Sequence, residues 1–283
     1  DVYKRQMNGE APLDLWAVDI RRFSTLHRDR DWVAERTLEA YGKHYTVAFP
    51  HEEYTSGRPR IVSPLYDRLK ARGAVFGSKL GWERPNWFAP ARVEPKDIYS
   101  MGRQNWFDAV GEEHAHVRAH AGLFDQSSFA KYDISGPKAA EALEAICANR
   151  VARDIGRLTY TQLLNSRGGI EADLTVARLA EDRFYIVTGT GFRTHDFGWI
   201  ADHLPAEGVS FRDVTEDWGT LSLMGPKARD ILAKVTSDDV SNAALPFGSA
   251  REITIAGIPV RALRVTYVGE LGWELHIPIA ALG

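Results

Sequence analysis

The chain has 283 residues, 44% apolar and 11% aromatic, enough to bury one large core or two smaller ones. Charged residues make up 26% with a formal net charge of −3, which argues against a general nucleic-acid or acidic-membrane surface while leaving local basic groups to serve an anionic ligand. The single cysteine, Cys147, excludes an internal disulfide framework and reads as a buried thiol in a reducing compartment; no apolar run approaches the roughly 18 residues that span a bilayer, and no signal peptide opens the chain, so a soluble, cytoplasmic protein is expected.

Residues 1–6 (DVYKRQ) resemble the translated end of a sequencing adaptor and are set apart from fold reasoning, so neither end of the chain is expected to be a natural terminus. Residues 8–23 (NGEAPLDLWAVDIRRF) mix apolar and charged positions with no start signal, as the tail of a preceding domain would. A helix is predicted over 31–42 (DWVAERTLEAYG). Trp32 or Val33, Arg36 or Thr37, then Ala40 and Tyr41 follow a helical period, with Asp29 or Asp31 as N-cap and Gly42 as stop. From 51 to 95 the chain is rich in Pro, Gly, Arg and Trp. Ser63 and Pro64 start a short helix to Arg72, ended by Gly73, and 81–88 (GWERPNWF) reads as a proline-bounded loop. Its aromatics Trp82, Trp87 and Phe88 suit either a wall against a cofactor or neighbouring domain, or the local core of a loop-rich connector.

Residues 112–120 (EEHAHVRAH) put His116 and His120 on one helical face near Glu113, the spacing of a helical metal pair. No third ligand is evident, and acidic-then-basic order complements a helix dipole, so no metal site is expected. An internal repeat comes next: 132–146 (YDISGPKAAEALEAI) and 222–235 (SLMGPKARDILAKV) each read as apolar strand, Gly-Pro-Lys-Ala, amphipathic helix. Pro137 and Pro226 are placed in first helical turns, with Leu143 and Leu232 facing a sheet. Two such units predict a pseudo-symmetric α+β domain whose strands alternate with helices packed on one side. Between the copies a strand over 183–188 and a helix over 194–204 are expected; after them, antiparallel strands over 251–255, 260–267 and 273–277.

Residues 160–176 (YTQLLNSRGGIEADLTV) have the pattern of a hairpin, with turn chemistry over 165–169 and Gly168 and Gly169 able to take positive φ. The returning strand carries Glu171 and Asp173, two residues apart on one face, suited to a flat, donor-rich heterocycle and equally to a solvated position. A strand followed by Gly189-Thr190-Gly191 imitates a dinucleotide turn, but Thr194 stands where the third glycine is needed and no suitable acidic residue follows the next strand.

Tyr160, Asn165, Gly168, Gly169, Asp173, Leu174 and Val176 together resemble the folate-binding hairpin of the aminomethyltransferase family, which includes the T-protein of the glycine cleavage system. Residues 267–274 (YVGELGWE) are similar to a second, distant piece of that family's pattern. Residues 63–90 (SPLYDRLKARGAVFGSKLGWERPNWFAP), followed by QNWFDAVGEEH, resemble the junction between flavin-carrying and folate-binding halves in dimethylglycine and sarcosine dehydrogenases. The resemblance starts around Gly9 and covers nearly the whole chain. It implies an aminomethyltransferase-like folate-binding domain over 103–283, preceded by the tail of an FAD-dependent oxidoreductase domain (7–50) and a connector (51–102).

By that resemblance Glu270 pairs with the N–H edge of the pterin; taken alone, it is also an ordinary turn glutamate beside Gly269 and Gly272. Asp173 stands near the folate nitrogens, steering an electrophilic iminium and assisting proton loss, Tyr160 lines the pocket beside the pterin, and Val187 contacts it at the turn that follows. The implied cofactors are tetrahydrofolate and, in an absent N-terminal half, FAD; the implied substrate is an N-methylated glycine, dimethylglycine or sarcosine. There are departures. Ala172-Asp173 stands where the T-protein has two acidic residues, and a family arginine that contacts folate would lie beyond Gly283. Two other readings are a glycine-cleavage-type aminomethyltransferase acting on a lipoyl-bound substrate, and a non-catalytic folate-binding module.

Overall fold

The computed structural model describes residues 15–266 and 269–283, so the segment 1–6, and Tyr267 and Val268 of the YVGELGWE motif, lie outside it. Short 3-10 turns over Trp16–Val18, Ile20–Arg22 and Thr25–Arg28 lead into helix α1 (Arg30–Lys43). Asp29 is the cap, its Oδ1 accepting the backbone N–H groups of Asp31 (3.1 Å) and Trp32 (3.0 Å). Gly42 does not end this helix. It stays helical and the C-cap is His44.

Helix α2 (Tyr66–Ala71) follows Pro64, which sits in the turn before it, and Gly73 (φ +86°) turns the chain into strand β1 (Ala74–Lys79). The GWERPNWF segment is not a loop but strand β2 (Trp82–Phe88), antiparallel to β1. The prolines of a strand survive at edges and bulges, and Pro85 faces Phe76 at the bulge of a two-stranded sheet, where the missing N–H breaks no outer ladder. Trp82 and Trp87 are buried, and Trp87 Nε1 donates to Asp97 Oδ1 at 2.8 Å, so these two aromatics are local core. Helix α3 (Phe107–Ala119) comes next, with the rings of His116 and His120 stacked at 4.8 Å across its end.

The remainder is two copies of one unit. After β3 (Gly122–Asp125), the first runs β4 (Ala130–Ser135), α4 (Ala139–Ile146), β5 (Leu158–Leu164), β6 (Ile170–Ala180) and β7 (Arg183–Thr188). After α5 (Arg193–His203) and β8 (Ser210–Asp213), the second runs β9 (Trp218–Met224), α6 (Ala228–Leu232), β10 (Ser249–Ile255), β11 (Ile258–Arg264) and β12 (Gly272–Pro278). One sheet has the order β5-β6-β7-β4-β8 and the other β10-β11-β12-β9-β3, the same order in repeat terms. The edge strands are exchanged: β3 precedes the first copy but pairs with β9 of the second, and β8 precedes the second copy but pairs with β4 of the first. Each sheet is therefore closed by a strand that belongs, in sequence, beside the other.

Gly136 and Gly225 both take φ +125°, and both helices start two residues beyond the prolines, with Lys138 and Lys227 at the N-caps. Pro137 and Pro226 thus occupy the turn before each helix, not its first turn. Leu143 and Leu232 are fully buried, as the repeat predicts. One core lies between the first sheet and helices α4 and α5, with Leu143, Leu163, Leu174, Ile186 and Ile200. A second lies between the other sheet and α6, with Leu223, Leu232, Val260, Trp273 and Leu275. The third joins the two sheets face to face through Leu158, Ala177, Tyr185, Val187, Ala250 and Leu263. Among the described residues no helix is long and apolar enough to cross a membrane.

That third core also holds polar groups. Lys131 is fully buried, its Nζ donating to the carbonyls of Ser127 (2.7 Å), Thr215 (3.2 Å) and Trp218 (2.8 Å). Burial pushes its pKa down to about 7 from 10.5. The unfolded chain therefore binds this proton across a window where the folded chain has released it, and stability rises as pH climbs from about 7 toward 10.5. Urea denaturation at pH 6, 8 and 9.5 is expected to show that rise, with a Lys131→Met variant flatter across the window. Equal pH slopes in the two proteins would contradict it.

Candidate functional site

The hairpin forms as the sequence predicts, and its turn is organised by Asn165. The Asn165 carboxamide oxygen accepts the N–H groups of Arg167 (3.0 Å) and Gly169 (2.9 Å), while Gly168 alone takes positive φ (+78°). Gly169 is needed for a different reason: a Cβ there would meet the Asn165 amide at 2.8 Å.

Register then places the predicted residues. Tyr160 pairs with Thr175, Thr175 with Val187 and Val187 with Lys131, one row of side chains crossing four strands on the face that looks toward the second sheet. Asp173 lies one step further along the same face of β6. Its Oδ2 accepts the Tyr160 hydroxyl at 2.6 Å, and that bond holds the Tyr160 phenol above its ordinary pKa. Tyr160 is 50% exposed and Asp173 is exposed, whereas Val187 is 5% exposed and packed into the inter-sheet core. The row thus runs from an open end at Tyr160 and Asp173 to a closed end at Val187.

Glu171 and Asp173 do not share partners as their spacing suggests. The ladder between β5 and β6 slips between Leu163 and Leu164, leaving Glu171 as the extra residue. Its carboxylate accepts the Asn165 amide (2.8 Å) and lies 3.7 Å from His195 Nε2 on α5.

Tyr160 borders an open groove of about 1080 Å³ with Asn149, Arg150, Arg153 and Arg178. Glu270 lines a different cavity, of about 420 Å³, with Glu113, Gln126, Ser222 and Glu274. The structure therefore brings Tyr160 and Asp173 together, sets Val187 in line with them, and leaves Glu270 at a separate cavity. Glu274 belongs to the quoted YVGELGWE run but had no role assigned. Strand β12 aims it at the cavity and, on the same face, places the fully buried His276 at 3.5 Å from Glu274 and within 3.0 Å of the Tyr185 hydroxyl. Burial lowers the His276 pKa. Sequence reasoning missed His195 and Asp196 altogether, since nothing local distinguishes them from other polar residues of an amphipathic helix. Among the described residues there is no group of three or more His, Cys, Asp or Glu side chains able to hold a metal ion.

Residues 65–282 match the GCVT N-terminal domain family, which covers most of the chain. The chain belongs to that family. Residues 8–63 match the FAD dependent oxidoreductase central domain, so the 3-10 turns and α1 ahead of the GCVT domain have a relative of their own. The chain is 37% identical to mouse (Mus musculus) mitochondrial sarcosine dehydrogenase, over 97% of this chain and 34% of that protein. It is 35% identical to rat (Rattus norvegicus) mitochondrial dimethylglycine dehydrogenase, over 95% of this chain and 32% of the relative. It thus spans about a third of the length of each. Among solved structures, the glycine cleavage system aminomethyltransferase T of Bartonella henselae superposes with a TM-score of 0.63 at 32% identity, covering 78% of this chain and 55% of that one. The fold is accordingly an aminomethyltransferase-type GCVT fold of mixed helix and sheet, with a fragment of an oxidoreductase central domain at its start.

Proposed function

We propose that this chain is the folate-binding part of a flavin-dependent N-methylglycine dehydrogenase, and that its GCVT domain passes the one-carbon unit of an oxidised N-methyl amine to tetrahydrofolate. The observation that carries this reading is the pairing of Asp173 with Tyr160 at the open end of the row that ends at Val187. FAD would take two electrons from the amine, and tetrahydrofolate would supply N–H donors and the nitrogens that take the carbon.

The chain's own residues fit a donor-rich, cationic reaction partner. Tyr160 ties down one oxygen of Asp173, while the other has no partner among the described residues and is open to solvent, so it can accept an N–H. A carboxylate so held faces a cation favourably and can take up the proton that a nitrogen loses on forming a bond. Glu270 would accept N–H groups in the separate cavity that it lines with Glu274. The division into 7–50, 51–102 and 103–283 belongs to this proposal, as does the choice of a small N-methylated glycine as substrate.

The test is calorimetric titration of tetrahydrofolate into the full-length protein, its Asp173→Ala variant and its Glu270→Ala variant. Affinity is expected to fall in both variants, about tenfold each for a lost charge-assisted hydrogen bond of about 1.5 kcal/mol. Unchanged affinity in both would leave the likeness to aminomethyltransferases as one of fold alone.

A further inference from the structure

Behind the hairpin, on the side away from the inter-sheet core, a chain of side chains runs between segments that the proposed site keeps apart. The Asp196 carboxylate is 1% exposed and both its oxygens are engaged: Oδ2 accepts the Thr188 hydroxyl at 2.6 Å, and Oδ1 meets His195 Nδ1 at 2.9 Å. An aspartate oxygen can only accept there, so Nδ1 carries the proton and donates. The other ring nitrogen, Nε2, faces Glu171 Oε2 at 3.7 Å, and Glu171 in turn holds the amide of Asn165, the organiser of the turn. Thr188 is the neighbour of Val187 in β7, and Glu171 stands two residues before Asp173 in β6. His195 thus lies against Glu171 of β6, which it attracts only as an imidazolium with both nitrogens protonated, and it reaches Thr188 of β7 through Asp196.

The same imidazole is touched from the oxidoreductase segment. Trp16 meets the His195 ring edge-on, centroids 4.8 Å apart at 87°. Two helical turns further along α5, Arg21 pairs with Asp202 at 2.6 Å, and Arg21 is itself fixed by Asp19. Trp16 and Arg21 thus seat the oxidoreductase segment along the helix that carries His195 and Asp196.

We infer that His195 is a positioning residue for one-carbon capture, transmitting the seating of the oxidoreductase segment at Trp16 to the Asp173 hairpin. This rests on the assignment of Asp173 to that step. Its physical basis is that a reacting carboxylate acts only when its strand holds it within a fraction of an ångström: the ladder pairs Asp173 with Gln162, but the bulge leaves Glu171 without a partner there, so Asn165 and His195 set where that neighbouring turn of β6 lies.

The test uses the full-length protein and counts, for each amine oxidised, how much carbon is captured as methylenetetrahydrofolate and how much is released as formaldehyde. A ratio per turnover is insensitive to the fraction of enzyme that has folded. The His195→Ala variant is expected to raise the KM for tetrahydrofolate about tenfold and to lower the captured fraction at fixed folate, the size of effect seen when the partner that orients a working ligand is removed. His195→Asn, which can keep an N–H on Asp196, should recover part of the loss, and Trp16→Ala should shift the ratio in the same direction by less. A captured fraction and KM equal to wild type in His195→Ala, even with a lowered melting temperature, would make the residue merely structural and overturn the inference. Asp173→Asn in the same assay separates the two claims, because full capture there sinks the assignment of Asp173 and not the role of His195 alone.

Discussion

Replacing Asp173 with Asn is expected to slow one-carbon transfer by about a hundredfold or more, the loss that goes with a missing proton acceptor and a missing charge beside a developing reaction centre. The substitution keeps the volume, and an amide oxygen can still accept the Tyr160 hydroxyl that now lies 2.6 Å from the carboxylate. Packing should be unaffected, since the side chain is exposed at the end of its row. What vanishes is the negative charge facing a cation and the basic oxygen that takes a proton. Single-turnover measurement of methylenetetrahydrofolate formation at saturating folate reads that step directly. Tyr160→Phe, which frees Asp173 to rotate, should cost about tenfold in the same measurement, within the range of a hydrogen bond to a charged group. Undiminished transfer in Asp173→Asn would favour the reading in which the GCVT domain binds folate without acting on it.

The largest loss of stability is expected at two glycines that the repeat puts in equivalent places. Gly136→Ala and Gly225→Ala should each destabilise the protein by about 3 kcal/mol or more, combining a backbone conformation that L side chains rarely adopt with a collision. Both have φ +125°. A Cβ at Gly136 would sit 2.5 Å from the carbonyl oxygen of Gly208, and one at Gly225 would sit 2.6 Å from that of His120. These are backbone atoms and cannot swing aside. They also carry hydrogen bonds, from Lys138 N to Gly208 O (3.1 Å) and from Lys227 N to His120 O (2.9 Å), so relaxation would break the link between each strand-to-helix turn and the segment crossing over it. Gly168→Ala is the control. It also has positive φ (+78°), but its Cβ would meet nothing within 4 Å, and it should cost about 1 kcal/mol. Chemical denaturation of the three variants checks the order; similar losses at all three positions would show that the crowding at the two repeat glycines is relieved cheaply.

That repeat was legible in the sequence, because Gly-Pro-Lys-Ala after an apolar strand is a local signature and the helix that follows keeps its own period. The hairpin was legible for the same reason: Asn165, Gly168 and the alternating flanks act over a few residues. Tyr160 and Asp173 were singled out by the family resemblance; the hydrogen bond between them is a finding of the structure, across two paired strands. The segment with Pro85 was misread as a loop because proline's effect on a strand depends on whether another strand lies outside it, and that is decided elsewhere in the chain. β3 and β8 were missed for a related reason. Each has four residues, too few to show a period, and each exists by pairing with the opposite copy of the repeat.

The sequence by itself determined the family, the alternation of strands and helices, the duplicated unit and the hairpin carrying the acidic residue, all properties of short-range pattern or of motif. Only the tertiary structure decided which strands close which sheet, where the row from Tyr160 to Val187 ends, and that Glu270 lines a separate cavity. It also decided that Glu171 turns toward His195 while Asp173 turns toward Tyr160, because a bulge of one residue reverses what an alternating strand would present. Contacts of this kind link residues separated by many tens of positions, as Trp16 and His195 are, and the energy that selects them comes from burial and hydrogen bonding that exist only once the two sheets and their helices have packed.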